Sequence, residues 1–132
     1  MFRKLFHYPL NQIGITIPVR LQWGGKQSVF TAKVDTGASF CIFARVHGEE
    51  LGLDIEAGRS QRIGTVMGSF LTFAHLVTLS VLEISFETTV CFAEEASFNR
   101  NVLGQQGWLD RFRLGLVDDE GKLYLSDYND VL

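Results

Sequence analysis

Six consecutive residues, Val34-Asp35-Thr36-Gly37-Ala38-Ser39, put an acid, a hydroxyl and a glycine directly after an apolar alternation. A carboxylate at the end of a buried strand, followed two residues later by glycine, lies on a tight turn that other backbone can approach closely. Placed there, it can act as a base toward water or, protonated, as an acid toward a carbonyl oxygen. The bare triplet also describes a polar turn whose Asp caps its own backbone, so the surrounding elements must decide between the two.

Upstream, Ile13, Ile15, Ile17, Val19 and Leu21 alternate with Gly14, Thr16, Pro18, Arg20 and Gln22, the period of a strand with one buried face. Pro18 places part of that strand at an edge or removes one ladder bond. Trp23-Gly24-Gly25-Lys26 supplies a glycine turn, and Phe30, Ala32 and Val34 resume the alternation, so a hairpin delivers Asp35. The residues before Ile13 show no clear pattern.

Downstream, Phe40 to Phe43 is a short apolar run, and residues 44–51 have the composition of a short helix stopped by Gly52. Leu53 and Ile55 start another extended piece. From Gln61 to Phe92 β-branched and aromatic residues dominate, with almost no helical period. Within it, Ile63-Gly64-Thr65-Val66-Met67-Gly68-Ser69-Phe70 reads as a hairpin with an apolar tip. Such a tip either closes over something or packs on the core. Val77, Leu79 and Val81, then Thr88, Val90 and Phe92, form two more strands joined near Glu83. After a polar loop over 94–100 come Asn101-Val102-Leu103-Gly104 and a stretch, 105–112, whose Trp108, Leu109 and Phe112 share one face of a short helix. Leu114, Leu116, the turn Asp118-Asp119-Glu120-Gly121 and a strand from Lys122 to Leu125 complete an all-β domain with one or two short helices, a single domain over residues 1–132.

Composition narrows the partners. With 132 residues, 46% hydrophobic, 20% charged and a net charge of −3, the chain can bury a core and offers no basic stripe for nucleic acid or an anionic membrane. Cys41 and Cys91 are far apart in apolar runs, and His7, His47 and His75 lack metal spacing, so no metal or cofactor is expected. Two buried free thiols and the absence of a signal-like or membrane-spanning apolar stretch point to a soluble, cytoplasmic protein.

In order and spacing, the string Ala32 to Phe43, the glycine-bearing hairpin over 61–70 and Val102-Leu103-Gly104 resemble the retroviral-type (retropepsin-like) aspartic proteases, a match covering residues 13 to 125. The resemblance implies a retropepsin-like barrel in which Asp35 is catalytic, Thr36 braces two active-site turns against each other and Gly37 admits substrate backbone. It makes Ile63, Gly64, Thr65, Val66, Met67 and Gly68 a flap, and Val102, Leu103 and Gly104 the segment crossing beneath the active-site turn. Two positions depart from the family pattern: Gln105-Gln106 stand where Arg-Asn or Arg-Asp is usual, and the flap glycines are spaced by three residues instead of clustered. Pepsin-like relatives commonly carry Ser or Thr at the position of Ala38, which cannot donate to the carboxylate, so the resemblance implies a mildly acidic optimum.

The chemistry adds a constraint of its own. Hydrolysis by carboxylates needs two of them, one basic and one protonated, and the chain contains one Asp-Thr-Gly. The second must come from another copy, so a C2 homodimer with a peptide or protein substrate between subunits is expected. Three alternatives stand beside this. A dehalogenase-type phosphotransfer site wants a second acid where Gly37 stands. A serine hydrolase built on Ser39 with His47 or His75 lacks the nucleophile elbow. A retropepsin-like dimer that binds peptides or dimerises without turnover retains the fold alone.

Overall fold

The structure, a computed structural model, describes residues 2–128. Ten strands are present among them: β1 (Lys4–His7), β2 (Thr16–Trp23), β3 (Lys26–Val34), β4 (Ile42–Phe43), β5 (Arg59–Thr65), β6 (Gly68–Val81), β7 (Ile84–Ala93), β8 (Val102–Leu103), β9 (Phe112–Val117) and β10 (Lys122–Asp127). One short helix, α1 (Arg45–Glu50), and three single 3-10 turns accompany them. The all-β expectation holds. No helix among the described residues is long and apolar enough to cross a membrane.

The alternation in the sequence produces the core. Ile17, Val19 and Leu21 of β2 face inward and are essentially inaccessible, while Pro18 and Arg20 between them are exposed. The hairpin to β3 turns through Gly24 and Gly25, both at positive φ, which lets Trp23 pair directly with Lys26. The larger sheet runs β2-β3-β8-β4-β7-β6-β5, and β2 also pairs with β6 through Arg20–Gln22, which closes the sheet on itself. Pro18 lies outside that closing stretch, where its missing N–H costs no bond to β6. β6 is long because it does two jobs: Gly68–Ala74 pairs with β5 as a projecting arm, and Thr78–Ser80 pairs with β2. A second sheet, β1-β10-β9, is antiparallel throughout.

Four local expectations are corrected. The first strand begins at Thr16, not Ile13: Gly14 has a positive φ and Ile13 is exposed. The patternless N-terminal stretch contains β1, which gains its order by pairing with β10. Leu53 and Ile55 do not start a strand; Ile55 opens a 3-10 turn and is buried, and the strand follows at Arg59. Most informative is 105–112, which is not a helix. The Gln105 and Gln106 N–H groups donate to Ala38 O (2.8 Å) and Ser39 O (2.9 Å), so they are committed to the 38–39 backbone and only a 3-10 turn, Leu109–Arg111, forms before β9. Trp108 is fully buried there, so the apolar face packs inward as its pattern predicts while the backbone is not helical.

Candidate active site

Asp35 is the first residue past β3. Its N–H donates to Leu103 O at 3.0 Å, which continues the parallel pairing of Lys33 with Val102 and Val34 with Leu103. The chain then turns tightly: Gly37 N–H donates to Asp35 Oδ1 (3.0 Å) and Ala38 N–H to Asp35 O (3.2 Å). One carboxylate oxygen is thereby held by backbone while the carboxyl as a whole stays partly accessible.

Beneath this turn runs the strand β8 and Gly104. A Cβ on Gly104 would collide with the carbonyl oxygen of Phe40 and lie 2.8 Å from that of Ala38, so only glycine permits the crossing. The structure thus brings Val102, Leu103 and Gly104 against residues 35–40, with Leu103 fully buried and Val102 nearly so. Gln105 adds a contact that sequence reasoning did not find: its Nε2 donates to Thr36 O at 2.9 Å. A neutral side-chain amide thereby clamps the Asp35 turn from below. The Thr36 side chain itself makes no hydrogen bond among the described residues and is exposed.

The hairpin of β5 and β6 reaches over the same side. Its tip is a two-residue connection, Val66-Met67, between the paired residues Thr65 and Gly68. Thr65 Oγ1 staples the tip, donating to Gly68 O (3.0 Å) and accepting from Met67 N–H (3.2 Å). Val66 and Met67 are 102% and 92% exposed, so the tip does not pack on the core. Further down the arm Ile63 and Phe70 do pack, against the small cluster of Ile42, Ala74 and Cys91, and Phe70 stacks on Phe98 with ring centroids 4.9 Å apart.

Turn, crossing strand and hairpin enclose a cavity of about 310 Å³, lined by Asp35, Gly37, Ala38, Phe40, Ile63 and Gly64 among others. Among the described residues Asp35 is its only carboxylate. A methyl at Gly37 would meet only Asp35 Oδ1, at 3.4 Å, so within the chain nothing crowds this position. Arg62, Phe98 and Arg100, which the sequence did not mark, also line the cavity. A wider cavity of about 800 Å³ lies against Arg3, Glu83, Asp110 and Asp127, but there Asp127 is ion-paired with Arg3 and Asp110 accepts the Gly107 N–H at 3.3 Å. Its acids are held in structural contacts, and it lacks the strand-turn-glycine construction around Asp35.

Neither histidine proposed as a partner for Ser39 serves it. His47 Nδ1 lies 3.0 Å from the buried Ser28 Oγ and 3.1 Å from Glu50 Oε1, and its ring stacks on Phe30; His75 Nε2 donates to Ile55 O at 2.8 Å. Cys41 and Cys91 are free and buried; burial pushes the Cys41 thiol up to about 12 and raises that of Cys91, so neither is a nucleophile near neutral pH.

Among solved structures, the chain is similar to the EIAV protease complexed with the inhibitor HBY-793, with a TM-score of 0.57 and 23% identity over 76% of this chain and 88% of that one. The fold is retropepsin-like. No family model matches the sequence, and no curated protein matches it. In this retropepsin-like fold, the cavity sits between the Asp35 turn and the β5-β6 hairpin, and the Phe70-Phe98 stack joins the hairpin to the loop that precedes β8.

Proposed function

We propose that the chain is an aspartic endopeptidase, residues 1–132 forming one retropepsin-like domain that acts as a homodimer. The observation that carries this reading is a single backbone-held carboxylate, Asp35, lining a cleft roofed by a hairpin with an unpacked apolar tip. Cleavage by water needs two carboxylates, so Asp35 of a second copy supplies the other across a two-fold axis. The ionised member takes a proton from water, whose oxygen adds to the scissile carbonyl carbon. The protonated member gives its proton to the carbonyl oxygen. Collapse of the resulting diol breaks the C–N bond, the nitrogen takes up a proton, and an acid and an amine leave.

In that dimer Thr36, whose hydroxyl has no partner among the described residues, bonds across the axis; Gly37 admits substrate backbone; and Ile63 to Phe70 closes as a flap. Val102, Leu103, Gly104 and the Gln105 amide hold the turn from below. The unpaired Cys41 and Cys91 support a reducing, cytoplasmic setting. No cofactor, nucleic acid or membrane enters the reading.

A statine-type transition-state mimic tests it, because tight binding requires the assembled carboxylate pair. We expect one mimic bound per dimer, with binding lost in Asp35→Asn together with hydrolysis of a peptide substrate while the dimer persists. Peptide binding that is unchanged in Asp35→Asn, with no hydrolysis by the wild type, would instead identify a binding dimer without turnover.

A further inference from the structure

The chain is acidic overall, yet the cavity that holds Asp35 is lined by two arginines, Arg62 and Arg100, and, among the described residues, by no other ionisable group. Two other arginines carry ion pairs, Arg3 with Asp127 and Arg45 with Glu49 and Glu56, while Arg20 and Arg59 form none among the described residues; what sets Arg62 and Arg100 apart is that they line the cavity of Asp35. Arg62 has only a neutral contact, Nη1 to Ser69 Oγ at 3.3 Å. Arg100 forms no ion pair and no side-chain hydrogen bond among the described residues. Glu94 and Glu95, in the loop leading to Arg100, do not line the cavity.

Both arginines are mounted on anchored backbone. Arg62 pairs with Leu71 across the hairpin, and Thr72 Oγ1 bonds the preceding carbonyl, Gln61 O, at 2.7 Å. Arg100 is bracketed by Phe98, stacked on Phe70, and by Asn101, whose Oδ1 accepts the Ala44 N–H at 2.9 Å and whose carbonyl accepts the Lys33 N–H at 2.9 Å. One arginine therefore belongs to the roof and the other to the wall of the same cavity, with Phe70 against Phe98 joining the two segments.

We infer that Arg62 and Arg100 select peptide substrates bearing an acidic side chain within the cleft. This rests on the reading of the cavity as a peptide site and adds its substrate class. Both side chains are exposed and so free to reach a ligand, and the planar N–H fork of a guanidinium matches a carboxylate in two parallel bonds. Each copy brings two cations against one catalytic carboxylate, so an Asp or Glu side chain offsets part of the cleft's positive excess, while a Lys or Arg adds to it. Phe40, Ile42, Phe70 and Phe98 offer apolar surface beside that acid.

The test uses the full chain carrying Asp35→Asn, which reads binding without turnover, and acetylated, amidated peptides whose only carboxylate is one Glu walked through the sequence, each with a Gln and a Lys counterpart. At one or more positions Glu should bind about tenfold tighter than Gln at low salt, with the preference reduced at about 0.5 M salt. Arg62→Gln with Arg100→Gln should bring Glu and Gln within about twofold, and Arg100→Glu should turn the preference toward Lys. Equal binding of Glu and Gln peptides at every position, or a preference that survives the double substitution, overturns the inference. So does a double variant that weakens the dimer in sedimentation while leaving the preference intact, since the arginines would then face the second copy. The same panel given to the wild type separates the two claims: a retained Glu preference without cleavage removes the peptidase and leaves an acidic-peptide binder, and no binding of any peptide removes both.

Discussion

The turn that carries Asp35 and the hairpin that faces it are built on opposite terms. The turn is held from below by Leu103 O, by two backbone bonds from Gln105 and Gln106 and by the Gln105 amide, and it tolerates no side chain at Gly104. The hairpin is anchored only through its arm, at Ile63, Phe70 and Phe98, and ends in two exposed apolar residues stapled by one threonine. The turn is tied by backbone and amide hydrogen bonds that fix where its carboxylate sits, whereas the hairpin tip leaves its apolar surface unpacked, as local regions of low contact density do.

The sharpest way to break this comparison is Gly104→Ala. The methyl meets carbonyl oxygens of Phe40 and Ala38 that are themselves fixed, so we expect a loss of about 3 kcal/mol in denaturant unfolding. A cost under about 0.5 kcal/mol would mean that the crossing is looser than its geometry. At the hairpin the effect should appear in binding: Val66→Ser with Met67→Ser should leave stability within about 0.5 kcal/mol of wild type and weaken a peptide-like inhibitor by about tenfold. A matching fall in stability would show that the tip packs in the free protein.

Gln105→Ala comes next, with a loss of about 1 kcal/mol from removing the amide bond to Thr36 O, read by denaturation and by faster hydrogen exchange over 35–38. The smallest effect concerns Glu50, at the end of α1 beside Ser28 of β3. The Ser28 hydroxyl, and then His47, hold its carboxyl below the ordinary range. A folded value below the unfolded one means that this stabilisation is present above the unfolded carboxylate value of about 4.3 and is lost as pH falls through the folded value. Glu50→Gln should therefore narrow the stability difference between pH 7 and pH 3, slightly, because the side chain is half exposed.

Much of the turn side was legible in the sequence because its constraints are local. Period-2 alternation over Ile15 to Val34 and the pair Gly24-Gly25 report a hairpin, and a glycine after two apolar residues at 102–104 reports a close crossing. Two features could not be read. The join of β6 and β7 falls where the sequence places it, near Glu83, but its backbone state is hidden: Leu82 and Glu83 both take positive φ, a state their side chains disfavour and that the extended pairing of the two strands imposes. Residues 105–112 carry a helical apolar pattern, but their N–H donors are diverted to residues 38 and 39, which a one-dimensional pattern does not contain. Arg62 and Arg100 escaped notice for the same reason: each is an ordinary surface cation until the fold brings a hairpin and a distant loop to one cavity.

The central claim, that two copies of Asp35 form one catalytic centre, is tested most directly by mixing subunits. Wild-type and Asp35→Asn chains are unfolded, refolded together at equal amounts above the dimer dissociation range, and assayed on one peptide at constant total chain. If each site takes one aspartate from each subunit, only wild-type homodimers cleave and the activity should fall to about a quarter of the all-wild-type value, with a quadratic dependence on wild-type fraction. A linear dependence, leaving about half the activity at equal mixing, would contradict the account, because each chain would then be cleaving with carboxylates of its own.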